Sequence, residues 1–138
     1  MNVTNHDGRV AEWEVLRERL AVTPTPGAFA AASRQWEAWQ DAPLPGRRVV
    51  RIALVGTGTL APLGAYLRVL CAQAGLHPVV SVGEFDQWNQ EMLTSDSALY
   101  AAAPDIMFCV LDPQTLFPRS AGLRKPESPE AVEDESRR

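Results

Sequence analysis

Between residues 10 and 39 apolar side chains recur at helical spacing, first as Val10, Trp13, Leu16 and Leu20 with Arg17 beside them, then as Phe29, Ala32, Trp36 and Trp39. Each stripe predicts an amphipathic helix. Asn5 or Asp7 can cap the first helix, and the TPTPG stretch at 23–27 ends it. The second is predicted over about 28–40, which makes a helical hairpin. Three of the chain's four tryptophans lie in it, and at this spacing they are packing residues before they are a carbohydrate or aromatic-ligand platform. DAPLPGRR, at 41–48, reads as a Pro/Gly linker.

From Val49 to Val55 the pattern becomes continuous, apolar except for Arg51 and rich in β-branched residues, as in a strand buried on both faces of a parallel sheet. A Gly-Thr-Gly-Thr turn follows. Gly56 and Gly58 can adopt angles closed to other residues, and Thr57 or Thr59 can cap the next helix, whose first turn accommodates Pro62. Leu60, Leu63, Leu67, Leu70 and Ala74 repeat at helical spacing, and Gly75 supplies the stop. A second strand is predicted over 78–82, a helix capped by Asp86 over about 85–94, a short helical turn capped by Asp96, and a third strand over 106–111. Right-handed crossovers then give an α/β fold with three parallel strands in the order 2-1-3, half of a doubly wound sheet. The third strand has an unpaired edge unless the tail, another chain or a second copy covers it, so a partner is expected there.

Composition narrows the function classes. Of 138 residues, 46% are apolar, enough for one core. The segment 119–138, rich in proline and charge, is expected to be a disordered tail, which divides the chain into a hairpin and linker at 1–48, an α/β half-domain at 49–118 and that tail. A net charge of -4 offers no basic stripe for nucleic acid. No run reaches membrane-spanning length and no signal peptide precedes the first helix, so a cytoplasmic protein is expected. Cys71 and Cys109 read as two reduced, buried thiols, and no cluster with metal-ligand spacing stands out, so neither a metal nor a cofactor is expected.

Ligands of open α/β sheets bind beyond the carboxyl ends of the strands, where chain order reverses. That crevice lies between the first and third strands. Its rim carries Gly56, Thr57, Gly58 and Thr59, then Gly83, Glu84 and Asp86, then Asp112. Thr57, Thr59 and Asp112 are the candidate catalytic groups, and Gly56, Gly58, Gly83, Gln87 and Gln90 the candidate ligand-binding ones. Glu84 and Asp86 can form an acid/base pair, but they read first as a helix cap, Asp86, and a charge favoured by the helix start, Glu84. Gly56-Thr57-Gly58-Thr59-Leu60-Ala61 also fits the dinucleotide pattern G-x-G-x-x-A, with Glu84 near the end of the next strand. A threonine nucleophile needs a base, and His77 belongs at the other end of the sheet, more than ~15 Å away.

Three separated motifs carry a family resemblance. Gly56, Thr59, Leu60, Pro62, Leu63, Tyr66 and Leu67 form one; Phe85, Gln87, Gln90, Glu91, Asp96, Ser97, Leu99 and Tyr100 form the second; Pro104-Asp105 is the third. Over residues 49–118 the chain resembles the N-terminal, SGNH-hydrolase-like region of FkbH-like proteins, of flavodoxin/SGNH-like type. In that family the region precedes a haloacid-dehalogenase-like domain, and the whole protein loads a glyceryl unit from bisphosphoglycerate onto an acyl carrier protein for polyketide assembly. The resemblance implies a binding or docking module with an acyl carrier protein, a haloacid-dehalogenase-like protein or a second copy as partner. The catalytic Asp-x-Asp-x-Thr/Val signature of the dehalogenase-like domain is matched only in its first residue by Asp112-Pro113-Gln114-Thr115-Leu116, and Thr57 stands where family members often carry serine. The enzyme alternative is glyceryl or acyl transfer, or hydrolysis, by the first-loop threonines.

Overall fold

The computed structural model describes residues 4–117. The expected tail at 119–138 lies outside them. Helices α1 (Thr4–Val22) and α2 (Pro26–Ala38) form the hairpin, and β1 (Arg48–Gly56), α3 (Ala61–Gln73), β2 (Leu76–Val82), α4 (Trp88–Leu93), α5 (Ala98–Ala101), β3 (Ile106–Val110) and α6 (Pro113–Leu116) follow. The sheet is parallel in the order β2-β1-β3, as the pattern predicts.

Burial sorts the helical stripes into one core. Trp13, Leu20, Ala32, Trp36, Trp39 and Leu44 pack with Val69 and Ala72 of α3, so the hairpin and the strand-turn-helix unit share their apolar interior. The three hairpin tryptophans are buried, in edge-to-face contacts of 5.1 Å (Trp13 with Trp36) and 5.4 Å (Trp36 with Trp39), which leaves no aromatic platform. Val10, expected on the inner stripe, faces out. The stretch expected to be a linker is itself packed: Leu44 is buried, and Arg47 lies over Trp36 at 5.3 Å while donating to the carbonyls of Ala72 at 2.6 Å and Leu76 at 3.1 Å.

Several local expectations change for identifiable reasons. Neither Gly56 nor Gly58 has a positive φ. Gly56 is required by proximity, because a Cβ there would collide with the Val110 carbonyl of β3. Gly75 does take the left-handed conformation, φ 83°, and ends α3. The first residue before α3 is Leu60, with no side-chain cap, so neither threonine caps it. Asp86 adopts φ 56° in a turn, and Gln87 precedes α4 in its place. Ser97 rather than Asp96 precedes α5, whose free Leu99 N–H is taken by Glu91 Oε2 at 3.1 Å. His77 falls inside β2, one residue from its start.

The two outer strands end in opposite conditions. Gly83 N–H donates to the Leu54 carbonyl, so alternation turns the backbone groups of Leu76, Pro78 and Val80 away from β1. That outer edge is closed. Arg47 takes the Leu76 carbonyl, Arg68 the Val80 carbonyl at 3.0 Å, and Pro78 has no N–H to offer. On the other side Thr57 N–H donates to the Val110 carbonyl, which turns the backbone of Met107 and Cys109 outward. No described residue bonds to them. All five residues of β3 are exposed, with Ile106, Met107, Phe108 and Val110 at 45, 42, 43 and 39%. Cys109, expected to be buried, is exposed for this reason, whereas Cys71 is half-buried and its burial pushes the thiol pKa up.

Candidate functional site

The rim of the sheet is built by β1, which delivers Gly56 and Thr57 to the carboxyl end because Ile52 to Val55 are buried between two helical layers. Ile52 and Leu54 pack with Leu60 and Val80 on the α3 side, and Ala53 and Val55 with Leu99 on the other. β3 is clamped to β1 at both ends. At its start Asp105 N–H donates to the Arg51 carbonyl and Asp105 Oδ2 accepts from Arg51 N–H, each at 2.8 Å. At its end the Thr57 hydroxyl accepts from Asp112 N–H at 2.7 Å.

This last bond brings together two of the three candidate catalytic residues, Thr57 and Asp112, in the crevice where the topology places them. Thr57 is only 7% exposed, and its oxygen links the first loop to the third. The Asp112 carboxylate accepts from Gln114 N–H at 3.1 Å and so caps α6. Thr59 is exposed on the loop before α3. His77 is buried at the far end of the sheet, its Nε2 within 3.1 Å of the Gln40 carbonyl, and burial holds its pKa below the usual histidine range.

The glycines divide between two tasks. Gly56 admits β3, Gly58 has open space around it, and Gly83 continues the β1–β2 ladder by its bond to Leu54. Gly83 also borders a cavity of about 120 Å³ on the β1–β2 side, with Val55, Ser81, Glu91 and Leu99 among its walls. Gln87 and Gln90 are exposed at the start and in the middle of α4, and no described bond joins them to Thr57 or Asp112. Glu91 is committed to α5, and Glu84 is exposed. No cluster of three metal-ligating side chains occurs among the described residues.

Arg68 was not singled out by its sequence. It is buried, donates to Ser33 Oγ at 2.7 Å and to the Val80 carbonyl at 3.0 Å, and lies 3.7 Å from Glu37. Burial lowers its pKa and Glu37 opposes the shift. A signal did exist. Gly64, Arg68 and Ala72 lie at i, i+4 and i+8 on the buried face of α3, and small residues on either side make room for a long side chain.

No family model matches the chain, and no curated protein matches it in sequence. Among solved structures, the chain is similar to the N-terminal part of the protein BF1531 from Bacteroides fragilis, a crystal structure described as containing a phosphatase domain complexed with Mg. The TM-score is 0.55 at 11% identity, and the match covers 76% of this chain and 28% of that one. At that identity the likeness is one of fold. No described helix is long and apolar enough to cross a membrane.

Proposed function

We propose that this α/β unit is a non-catalytic binding or docking module of an FkbH-like system in polyketide or other natural-product biosynthesis. It assists the loading of a glyceryl-type three-carbon unit onto an acyl carrier protein, beside a haloacid-dehalogenase-like partner that carries the phosphate chemistry. The observation that carries this reading is the closed first loop: the Thr57 hydroxyl is buried and tied to Asp112 N–H, and the nearest histidine in sequence, His77, sits at the opposite end of the sheet. An alcohol without a base is a weak nucleophile. The fold shared with a chain that contains a phosphatase domain supports the kind of partner.

Isotope-labelled bisphosphoglycerate, a carrier protein and a dehalogenase-like protein, combined with and without this chain, test the reading. Labelled carrier should be absent with this chain alone and form faster when it joins the dehalogenase-like protein. Transfer by this chain alone, abolished in Thr57→Ala, would establish the enzyme reading instead.

A further inference from the structure

We infer that the open side of the sheet, the free edge of β3 together with both of its faces, seats a strand-plus-helix element of another protein body. This rests on the docking reading above for the existence of a separate body, and adds what that body presents. Register places Ile106, Phe108 and Val110 beside Ile52, Leu54 and Gly56, on the α3 side of the sheet. Met107 and Cys109 pair with Ala53 and Val55, on the α4 and α5 side. Strand β3 therefore lacks cover in three directions at once. Its two neighbouring acids are engaged, Asp105 with Arg51 and Asp112 with Gln114, and the strand itself carries no charge. Leu63 and Leu70, 39 and 50% exposed, lie at i−4 and i+3 from Leu67, the residue that packs α3 onto the sheet, and so extend the apolar surface upward.

Three occupants compete, and geometry separates them. Residues 118–138 hold three prolines and, as aliphatic side chains larger than alanine, only Leu123 and Val132, too little to cover two apolar faces. A second copy paired through β3 supplies a strand but no roof. Helix α3 packs over β1 and β2, so four strand spacings of ~4.8 Å would hold the two copies of α3 about 19 Å apart. Packed helices approach to about 8–10 Å. A trough one helix wide would stay open above Phe108 and its mate. A strand flanked by its own amphipathic helix fills both the edge and the trough, as the next unit of a doubly wound sheet does.

The test places the photo-crosslinker benzoylphenylalanine at Phe108, and as a control at Val22, in the full chain in its own cells, with the adducts sequenced by mass spectrometry. Position 108 should capture a different protein through an apolar strand adjoining an amphipathic helix, and position 22 should not. Phe108→Lys, with its fold checked by circular dichroism against the parent, should weaken that complex by about 30-fold or more, the loss typical of a central apolar anchor. Adducts to the chain's own β3, to residues 118–138 or to a surface without a strand, or no adduct above the control, overturn the inference. A strand-and-helix partner unconnected with three-carbon transfer would keep the inference and overturn the function proposed above.

Discussion

One sheet carries two edges that the chain treats in opposite ways. At β2 a proline removes an outward donor and two arginines occupy outward carbonyls, Arg47 from the segment before β1 and Arg68 from α3. At β3 the outward amides of Met107 and Cys109 are bare and the side chains on either face are uncharged. Edge strands invite unwanted pairing, and proteins suppress it with prolines, charges and cover. A chain that uses all three on one edge and none on the other has one closed side and one open side, the side on which the proposed docking depends.

Substitutions can break this contrast, beginning with the one that should cost most. Gly56→Ala places a methyl group against the Val110 carbonyl and should prise β3 off β1, with a loss of about 3 kcal/mol or more in urea unfolding. If stability is unchanged, the close approach of the strands is not required. Arg68→Met should cost about 1–3 kcal/mol, because Ser33 Oγ and the Val80 carbonyl lose their donor in a buried place. It should also raise the tendency to aggregate, which light scattering reads, since the closed edge is reopened.

Acid should loosen the closed side next. Burial depresses the His77 pKa, the Gln40 carbonyl opposes that shift, and the charges of Arg47 and Arg9 reinforce it. The unfolded chain binds this proton near 6.5 and the folded chain resists it. Stability from this group is therefore complete above about 6.5 and declines as pH falls below it through the depressed folded value. The urea midpoint should be lower at pH 5 than at pH 7.5, and His77→Gln should flatten that difference. Last, and smallest, Phe108→Lys on the open side should change the stability of the isolated chain by no more than about 0.5 kcal/mol. A large loss would mean that β3 is covered within the chain itself.

Much of the fold could be read from spacing, and the misses share a cause. The change from helical period to the continuous run at Val49–Val55 marked β1, and Leu60 to Gly75 marked α3 with its stop, because those patterns arise from contacts within the unit. The run Ile106–Val110 reads as a buried strand for an equally sound reason, since apolar residues on both faces call for cover. Sequence does not say whether the chain itself provides that cover, and Cys109, which reads as buried, is exposed for that reason. Asp86 and Asp96, both expected as caps, do not cap: Asp86 sits in a turn, and Ser97 precedes α5. A carboxylate near a helix start is a cap, a turn former or a reach to the next helix according to backbone geometry that composition does not encode. Thr57 and Asp112 were expected in one crevice and meet there, yet only the structure shows that a backbone N–H, rather than an open space, faces the hydroxyl.

The proline and two arginines along β2 also set a limit on size. A sheet with two receptive edges can add members at both ends and grow into a filament, whereas one with a single receptive edge stops after its first addition. Whatever pairs with β3 meets a blunt end on the far side, at Leu76, Pro78 and Val80. The same three backbone positions therefore act as a stop, leaving the sheet no growth on the β2 side of this chain.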